Sequence, residues 1–313
     1  MASIDFTQLA PLAGLWELRP DLAIYGGPQT ERAVGDFGLA IADDRVRMRS
    51  GRIRATVIFP EVRSTGRIAF GHNATTGAYY SAGIGGYGFA YLLDVYIPGT
   101  GWHGLRTEGG YENISTGTPY KIEVHLRGQR VRLLVNGVRV LEGSLPNPLS
   151  DEQIGLFAFG KVPVHFSEFA VDSIDKPQAF VVTQYGEPYE TLYNDVIAPV
   201  AEEMGFHPYR AKDVYRPGII LQDIVQGLVE SDVVIAEITP ANRNVFYELG
   251  YAHANGKPTI LLAERSSELP FDVHGYRCIF YDDTIGGKKE VKANLKKHLM
   301  HIKGIWDVPP KAD

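Results

Sequence analysis

One cysteine in 313 residues, Cys278, leaves no internal disulfide to form, and such usage fits a reducing, cytoplasmic setting. No apolar run approaches the roughly 20 residues that a membrane-spanning helix needs. The opening stretch Met1–Trp16 lacks the basic start and apolar core of a secretory signal. No Cys/His cluster has ligand spacing, so no metal is expected. A basic excess is missing too: residues 1–175 carry 16 Lys+Arg against 18 Asp+Glu, and residues 176–313 carry 15 against 19. Without that electrostatic footprint, no nucleic-acid partner is expected.

What is present is a globular balance, 44% hydrophobic and 22% charged, in a chain long enough for two cores. The first half is a series of short apolar or alternating runs split by Gly, Pro, Asn and Ser. Residues 52–59, 66–71, 79–84 and 89–96 read as strands, as do 120–126, 130–135, 138–141, 154–159 and 164–171. Asn136-Gly137 between two of them is a strong signal for a two-residue primed turn. No 3.6-residue period interrupts the series, which predicts an all-β sandwich or jelly roll.

The runs "YKIEVHLRG…VRLLVNGVRVL", "IGLFAF" and "VHFSEFAV" resemble the concanavalin A-like, laminin-G-like sandwich family over about residues 14–172. In that superfamily the sandwich serves as a sugar binder, a glycosidase or an interaction module, so function must come from the site. A glycosidase would need two facing carboxylates. Asp94, Glu108, Glu112 and Glu123 are the candidates, but no E-x-D-x-x-E cluster joins them on one strand. Ligand binding through Tyr79, Tyr80, Tyr87, Tyr91, Trp102 and His103 is the other reading, against plain packing of those rings. A carbohydrate or protein ligand is the partner this implies.

Near Ile174–Pro177 the pattern changes to alternating strands and helices. Strands are expected at 178–183, 206–210, 232–238, 257–263 and 278–281. Helices are expected over 188–204, 218–230, 244–254 and about 288–302. Repeated β-α units predict a doubly wound parallel sheet with a ligand crevice at the strands' carboxyl ends. The expected domains are therefore 1–174, a β-sandwich, and 178–313, an α/β domain. Cys278 alternates within Tyr276–Tyr281 and reads as a buried structural thiol.

The densest chemistry lies between Ala236 and Pro258. Asn244 reads as an N-cap, and Glu248 then shares a helix face with Asn244, Tyr251 and Asn255. The loop Thr-Pro-Ala-Asn-Arg-Asn concentrates polar groups beside that carboxylate. His253 falls on a different face and reads as a packed or surface residue.

"AFVVTQY", "YRAKDV", "SDVVIAEIT" and "NRNVFYELGYAHANGKP" resemble the nucleoside 2-deoxyribosyltransferase-like superfamily, in particular its bacterial TIR-like nucleotide-binding branch, over residues 178–302. The resemblance implies chemistry at an N-glycosidic bond, as in a nucleoside hydrolase, a transferase or an NADase. It makes Glu248 the nucleophile or anomeric-carbon stabiliser, and Glu237 the strand-ending carboxylate that grips substrate. The family more often has Asp at that second position. Asn242 replaces a common Asp, which puts base protonation and transferase activity in doubt. Thr183, Gln184, Tyr185, Gly186, Arg210, Asn242, Asn244 and Tyr251 are the expected substrate-binding residues, with Arg210 and Lys212 placed either to meet phosphates or to form structural salt bridges. No cofactor is expected; NAD or a nucleotide would be the substrate. By analogy with TIR-type proteins the pairing suits a self-associating effector of bacterial antiviral defence, with the sandwich as sensor. The rivals are a silent nucleotide-binding module and a sugar-binding protein regulated by its α/β domain.

Overall fold

The computed structural model describes residues 2–27, 37–61, 64–146, 149, 152–173, 176–213, 220–269, 273 and 275–307. Contacts divide them into two units, one built on 2–145 and 149–173, the other on 176–307. The junction residues Ile174 and Asp175, expected to link the domains, lie outside the described residues, as do the first residues of the helix expected from 218.

The first unit is all β. Its early strands are β1 (Ala2–Ser3), β2 (Leu9–Ala13), β3 (Leu15–Arg19), β4 (Leu22–Gly27), β5 (Phe37–Ala42) and β6 (Arg47–Met48). The middle of the unit supplies β7 (Gly51–Ile58), β8 (Thr65–His72), β9 (Tyr79–Gly86), β10 (Phe89–Ile97) and β11 (Gly101–Gly110). It closes with β12 (Tyr120–Arg127), β13 (Arg130–Val135), β14 (Val138–Ser144), β15 (Glu152–Phe159) and β16 (Val164–Ser173). They form two eight-stranded sheets, ordered β14-β13-β12-β7-β16-β4-β3 with β1 on β16, and β11-β10-β9-β8-β15-β5-β2 with β6 on β15. Every pairing in both sheets is antiparallel.

Period-2 alternation explains the sandwich. Ile53, Ala55 and Val57 of β7 and Ile122, Val124 and Leu126 of β12 meet Ile68, Phe70, Ala82 and Ile84 of the other sheet in one core. The Asn136-Gly137 turn is of the expected primed kind: both residues have positive φ, 51° and 79°, and Val135 pairs with Val138 across it. The sequence pattern does not announce β2–β5 or β11; β2, β4, β5 and β11 are rich in Ala or Gly, and β3 is only five residues long.

In the second unit β17 (Gln178–Val182), β18 (His207–Tyr209), β19 (Val233–Glu237), β20 (Thr259–Glu264) and β21 (Cys278–Tyr281) form one parallel sheet ordered β18-β17-β19-β20-β21. One face packs on α1 (Tyr189–Leu192), a π turn at Tyr193–Ile197, α2 (Ala198–Glu203) and the long α5 (Ile285–Asp307), through Val196, Ile197, Val200, Val291, Leu295 and Leu299. The other face packs on α3 (Ile220–Glu230) and α4 (Arg243–Ala254), through Leu228, Val245, Leu249 and Ala252. Helices on both faces explain why β19, Val-Val-Ile-Ala-Glu, is buried at every position.

Two expectations need correction here. The helix expected over 188–204 is continuous but widens into a π turn at its centre. The last helix is longer than the expected 288–302, because Gly286 and Gly287 enter its first turn instead of stopping the chain.

Candidate functional site

In the order β18-β17-β19 the sheet reverses direction of growth between β17 and β19, the place where open α/β sheets leave a crevice beyond their strand ends. A cavity of about 340 Å³ lies there, and its lining includes Thr183, Gln184 and Tyr185 from the turn after β17. Asn242, Asn244, Tyr247 and Glu248 line it from α4 and the loop before it, and Leu221 and Ile224 from α3. Eight residues of this lining, Val245 included, come from the turn after β17 or from α4 and the loop before it, the two segments that flank the switch point.

Helix α4 begins one residue earlier than the sequence reading has it. Asn242, not Asn244, is the N-cap: its backbone is extended (φ −115°, ψ 127°) and its side-chain oxygen accepts from Asn244 N–H at 2.9 Å. Val245, Leu249 and Ala252 dock the helix on the sheet and fix its rotation, which turns Glu248 toward the crevice. Asn244 shares the crevice with Glu248, as the i−4 spacing predicts. Tyr251 packs instead against the cluster between α4 and the sheet, and neither it nor Gly186 is in the lining.

Glu248 is half-buried, and among the described residues it accepts no hydrogen bond and joins no ion pair. Burial alone therefore acts on it, pushing its carboxyl up to about 7. Tyr185, exposed on the same rim, is held above its ordinary range by its own burial and by the negative charge of Glu248.

Glu237 is placed differently from the expectation. It is 0% exposed and lies beneath the loop rather than in the crevice lining. Its carboxylate accepts from Thr239 N–H at 3.1 Å, from the Thr239 hydroxyl, and from Tyr281 O–H at 3.1 Å. The Thr239 hydroxyl in turn accepts from Glu264 N–H at 2.9 Å, so one buried cluster ties the ends of β19, β20 and β21 together. Burial, opposed by these bonds, pushes Glu237 up to about 7. Nearby, burial first and the Glu237 charge second push the Cys278 thiol up to about 12, far from thiolate chemistry.

Arg210 and Lys212 are also not where a phosphate would meet them. Arg210 donates to Glu190 and Asp213, each at 3.1 Å, and its guanidinium lies 3.6 Å from the Tyr193 ring centroid. Lys212 is ion-paired to the same Glu190. The strand-end cations are thus bound to carboxylates from the neighbouring helix and turn, and neither lines the crevice. His253 is packed, with its ring stacked 4.2 Å from Tyr276.

Three of the four carboxylates considered in the sandwich are each held by a neighbouring basic side chain. Asp94 binds Arg67 at 2.6 Å, Glu108 binds Arg106 at 2.6 Å, and Glu123 sits 3.2 Å from His125. Sequence reasoning missed Arg67, although a lone cation inside the apolar run Gly66–Gly71 was its signal. The six aromatic-loop candidates divide. Tyr87 and Trp102 line a cavity on the outer face of one sheet, where Tyr79 is buried beside Trp102. Tyr80 and Tyr91 pack toward the inter-sheet core, and His103 is exposed beside Thr100.

Among the described residues no helix is long and apolar enough to cross a membrane, and no group of three or more His, Cys, Asp or Glu is placed to hold a metal. No family model matches the chain. No curated protein matches it. Among solved structures, the carbohydrate-binding module CBM66 from Bacillus subtilis is 12% identical, with 55% of this chain and all of that one covered at a TM-score of 0.43. A galectin-like protein of unknown function from Bacillus subtilis is 11% identical over 54% of this chain and 90% of its own, at 0.41. A CMP N-glycosidase from Clostridium botulinum is 21% identical over 39% of this chain and 98% of its own, at 0.33. At these identities and scores the likeness carries no functional argument, and the chain's two units rest on their own geometry.

Proposed function

We propose that the α/β unit cleaves an N-glycosidic bond of a nucleotide-class substrate, with Glu248 as the group that meets the anomeric carbon. The carrying observation is a half-buried carboxylate with no partner among the described residues, lining a 340 Å³ crevice at the switch point of a parallel sheet. A carboxylate kept only for stability is normally paired or fully solvated; this one is only partly solvated and has no partner among the described residues.

The chemistry suits the group. When the C1′–N bond breaks, its electron pair leaves with the base and positive charge builds on C1′ and the ring oxygen. The Glu248 carboxylate stabilises that charge or captures C1′ as a glycosyl ester, and water then supplies the hydroxyl that replaces the base. Gln184, Asn242 and Asn244 offer uncharged donors and acceptors for sugar hydroxyls along the same lining. Glu237, sealed under the loop, holds the turn that starts α4 and so positions Glu248 without touching substrate. Asn242 has no acidic proton to transfer to a leaving base, which favours a base that departs neutral without protonation. A positively charged base such as the nicotinamide of NAD meets that condition. The reading agrees with the deoxyribosyltransferase-like and TIR-like resemblance of the sequence.

The test is to incubate the full chain with NAD, CMP and a panel of nucleosides and to separate the products by chromatography. Release of free base supports the reading. Unchanged substrate across the whole panel overturns it.

A further inference from the structure

The sandwich carries its own cavity, of about 470 Å³, on the outer face of the sheet that holds β8, β9 and β10. The core of the unit lies on the other face of those strands, through Ile68, Phe70, Ala82 and Ile84, so the cavity is not a gap in the core. Two charged residues in its lining are almost completely desolvated, Arg67 at 3% and Asp94 at 0% exposed. Arg67 donates to Asp94 at 2.6 Å, to the Ser81 hydroxyl at 3.2 Å and to the Gly85 carbonyl at 2.9 and 2.6 Å. Ser81 donates to the other Asp94 oxygen at 2.5 Å. Gly86, with φ 139°, makes room for this: a Cβ there would collide with the Arg67 guanidinium.

Aromatic rings surround the pair. Trp102 stands edge-on to Phe37 and Phe157, with centroids 6.0 and 5.0 Å away, and lies 4.9 Å from Tyr96. The Arg67 guanidinium sits over the Phe157 ring at 5.2 Å. Phe159 and Tyr87 are the exposed members of the lining, at 42% and 62%.

We infer that this cavity binds an uncharged, flat aromatic ring of nucleobase size. Charge excludes ions: Arg67 and Asp94 neutralise each other, and a charged ligand would be desolvated without a counter-charge. Shape favours a flat ring, because the walls offer ring faces and edges at the spacings that aromatic groups adopt among themselves. Asp94 has both oxygens bonded to Arg67 and Ser81 and no exposed surface, so what the lining presents to a ligand is mainly ring surface rather than charge. A polyol ring would instead bring hydroxyls around its whole rim, each needing a partner in a lining made mainly of carbon. The inference does not rest on the glycosidase reading.

The test uses adenine and cytosine as probes of the full chain by saturation-transfer NMR and calorimetry, with sucrose and methyl β-galactoside run in parallel. Phe159→Ala and Tyr87→Ala remove exposed ring faces and leave the fold intact, while Tyr247→Ala removes an exposed ring from the α/β crevice. The expected result is that a base binds and that Phe159→Ala or Tyr87→Ala weakens it by roughly tenfold or more, as loss of a stacking face does. Tyr247→Ala leaves that affinity unchanged. Loss of base binding in Tyr247→Ala alone, binding of the sugars with the bases inert, or no binding of any probe would each overturn the inference. Base release from nucleotide substrates is unaffected by Phe159→Ala, so failure here and failure of the glycosidase reading are distinguishable.

Discussion

Each unit buries a carboxylate beside a cavity, and the two are treated in opposite ways. Asp94 is sealed at 0% exposure, with a guanidinium on one oxygen and a hydroxyl on the other. Glu248 is half-buried and has neither among the described residues. The first arrangement spends its charge on holding strands together and leaves a neutral surface. The second keeps a charge available, at the cost of a carboxyl that resists ionisation. Pairing, more than burial, separates a structural carboxylate from one poised for chemistry.

Breaking the paired member should have the largest effect. Arg67→Met leaves Asp94 buried and uncompensated, which costs about 3–5 kcal/mol. Urea unfolding of the full chain should show the sandwich transition moving far downward. Adding Asp94→Leu should recover most of the loss; a double variant as unstable as the single would mean that packing, not charge, was removed.

Glu237 sharpens the comparison through pH. Its folded-state pKa of about 7 lies above its ordinary value, so the folded protein holds this proton more tightly than the unfolded chain does. Stability from this group is therefore full below about 4.5, falls as pH rises toward 7, and is level above. Glu237→Gln keeps the carbonyl oxygen as acceptor and cannot ionise, so it should flatten that fall by an amount on the order of 2 kcal/mol between pH 5 and 8. Denaturant curves at the two pH values check it. Equal pH dependence in both proteins would show that Glu237 does not titrate in this window.

The smallest effect tests the platform of Glu248. Asn242→Ala removes the side-chain cap of α4 and should cost about 1 kcal/mol of stability. Asn244→Ala should cost less, because Asn244 gives only its backbone N–H to that cap. A larger loss in Asn244→Ala would restore it as the capping residue.

How much of this was legible in the sequence depends on reach. The hairpin through Asn136-Gly137 and the placing of Glu248 and Asn244 on one face follow from periods of two and 3.6, which local sequence carries. The partners that decide charge do not. Arg210 is claimed by Glu190, 20 residues earlier, and Glu237 by Tyr281, 44 residues later. Arg67 on β8 finds Asp94 on β10, 27 residues on, with β9 lying between the two strands. Hence local sequence puts Glu248 at the crevice, where it lies, but leaves Arg210 and Lys212 open between phosphate and salt bridge and takes a sealed glutamate for a substrate grip.

The unpaired state of Glu248 is what the functional account stands on, and base release against pH measures it. With NAD as substrate, kcat/KM should rise through about pH 7 and level off above it, because the reacting form is the carboxylate. Glu248→Gln should lower the rate by roughly a hundredfold or more at pH 8 and abolish the rise, while its unfolding midpoint there should be no lower than the parent's, because the buried carboxylate's cost of ionising is removed. A Glu248→Gln protein that releases nicotinamide at the parental rate, with the parental pH profile, would contradict the account.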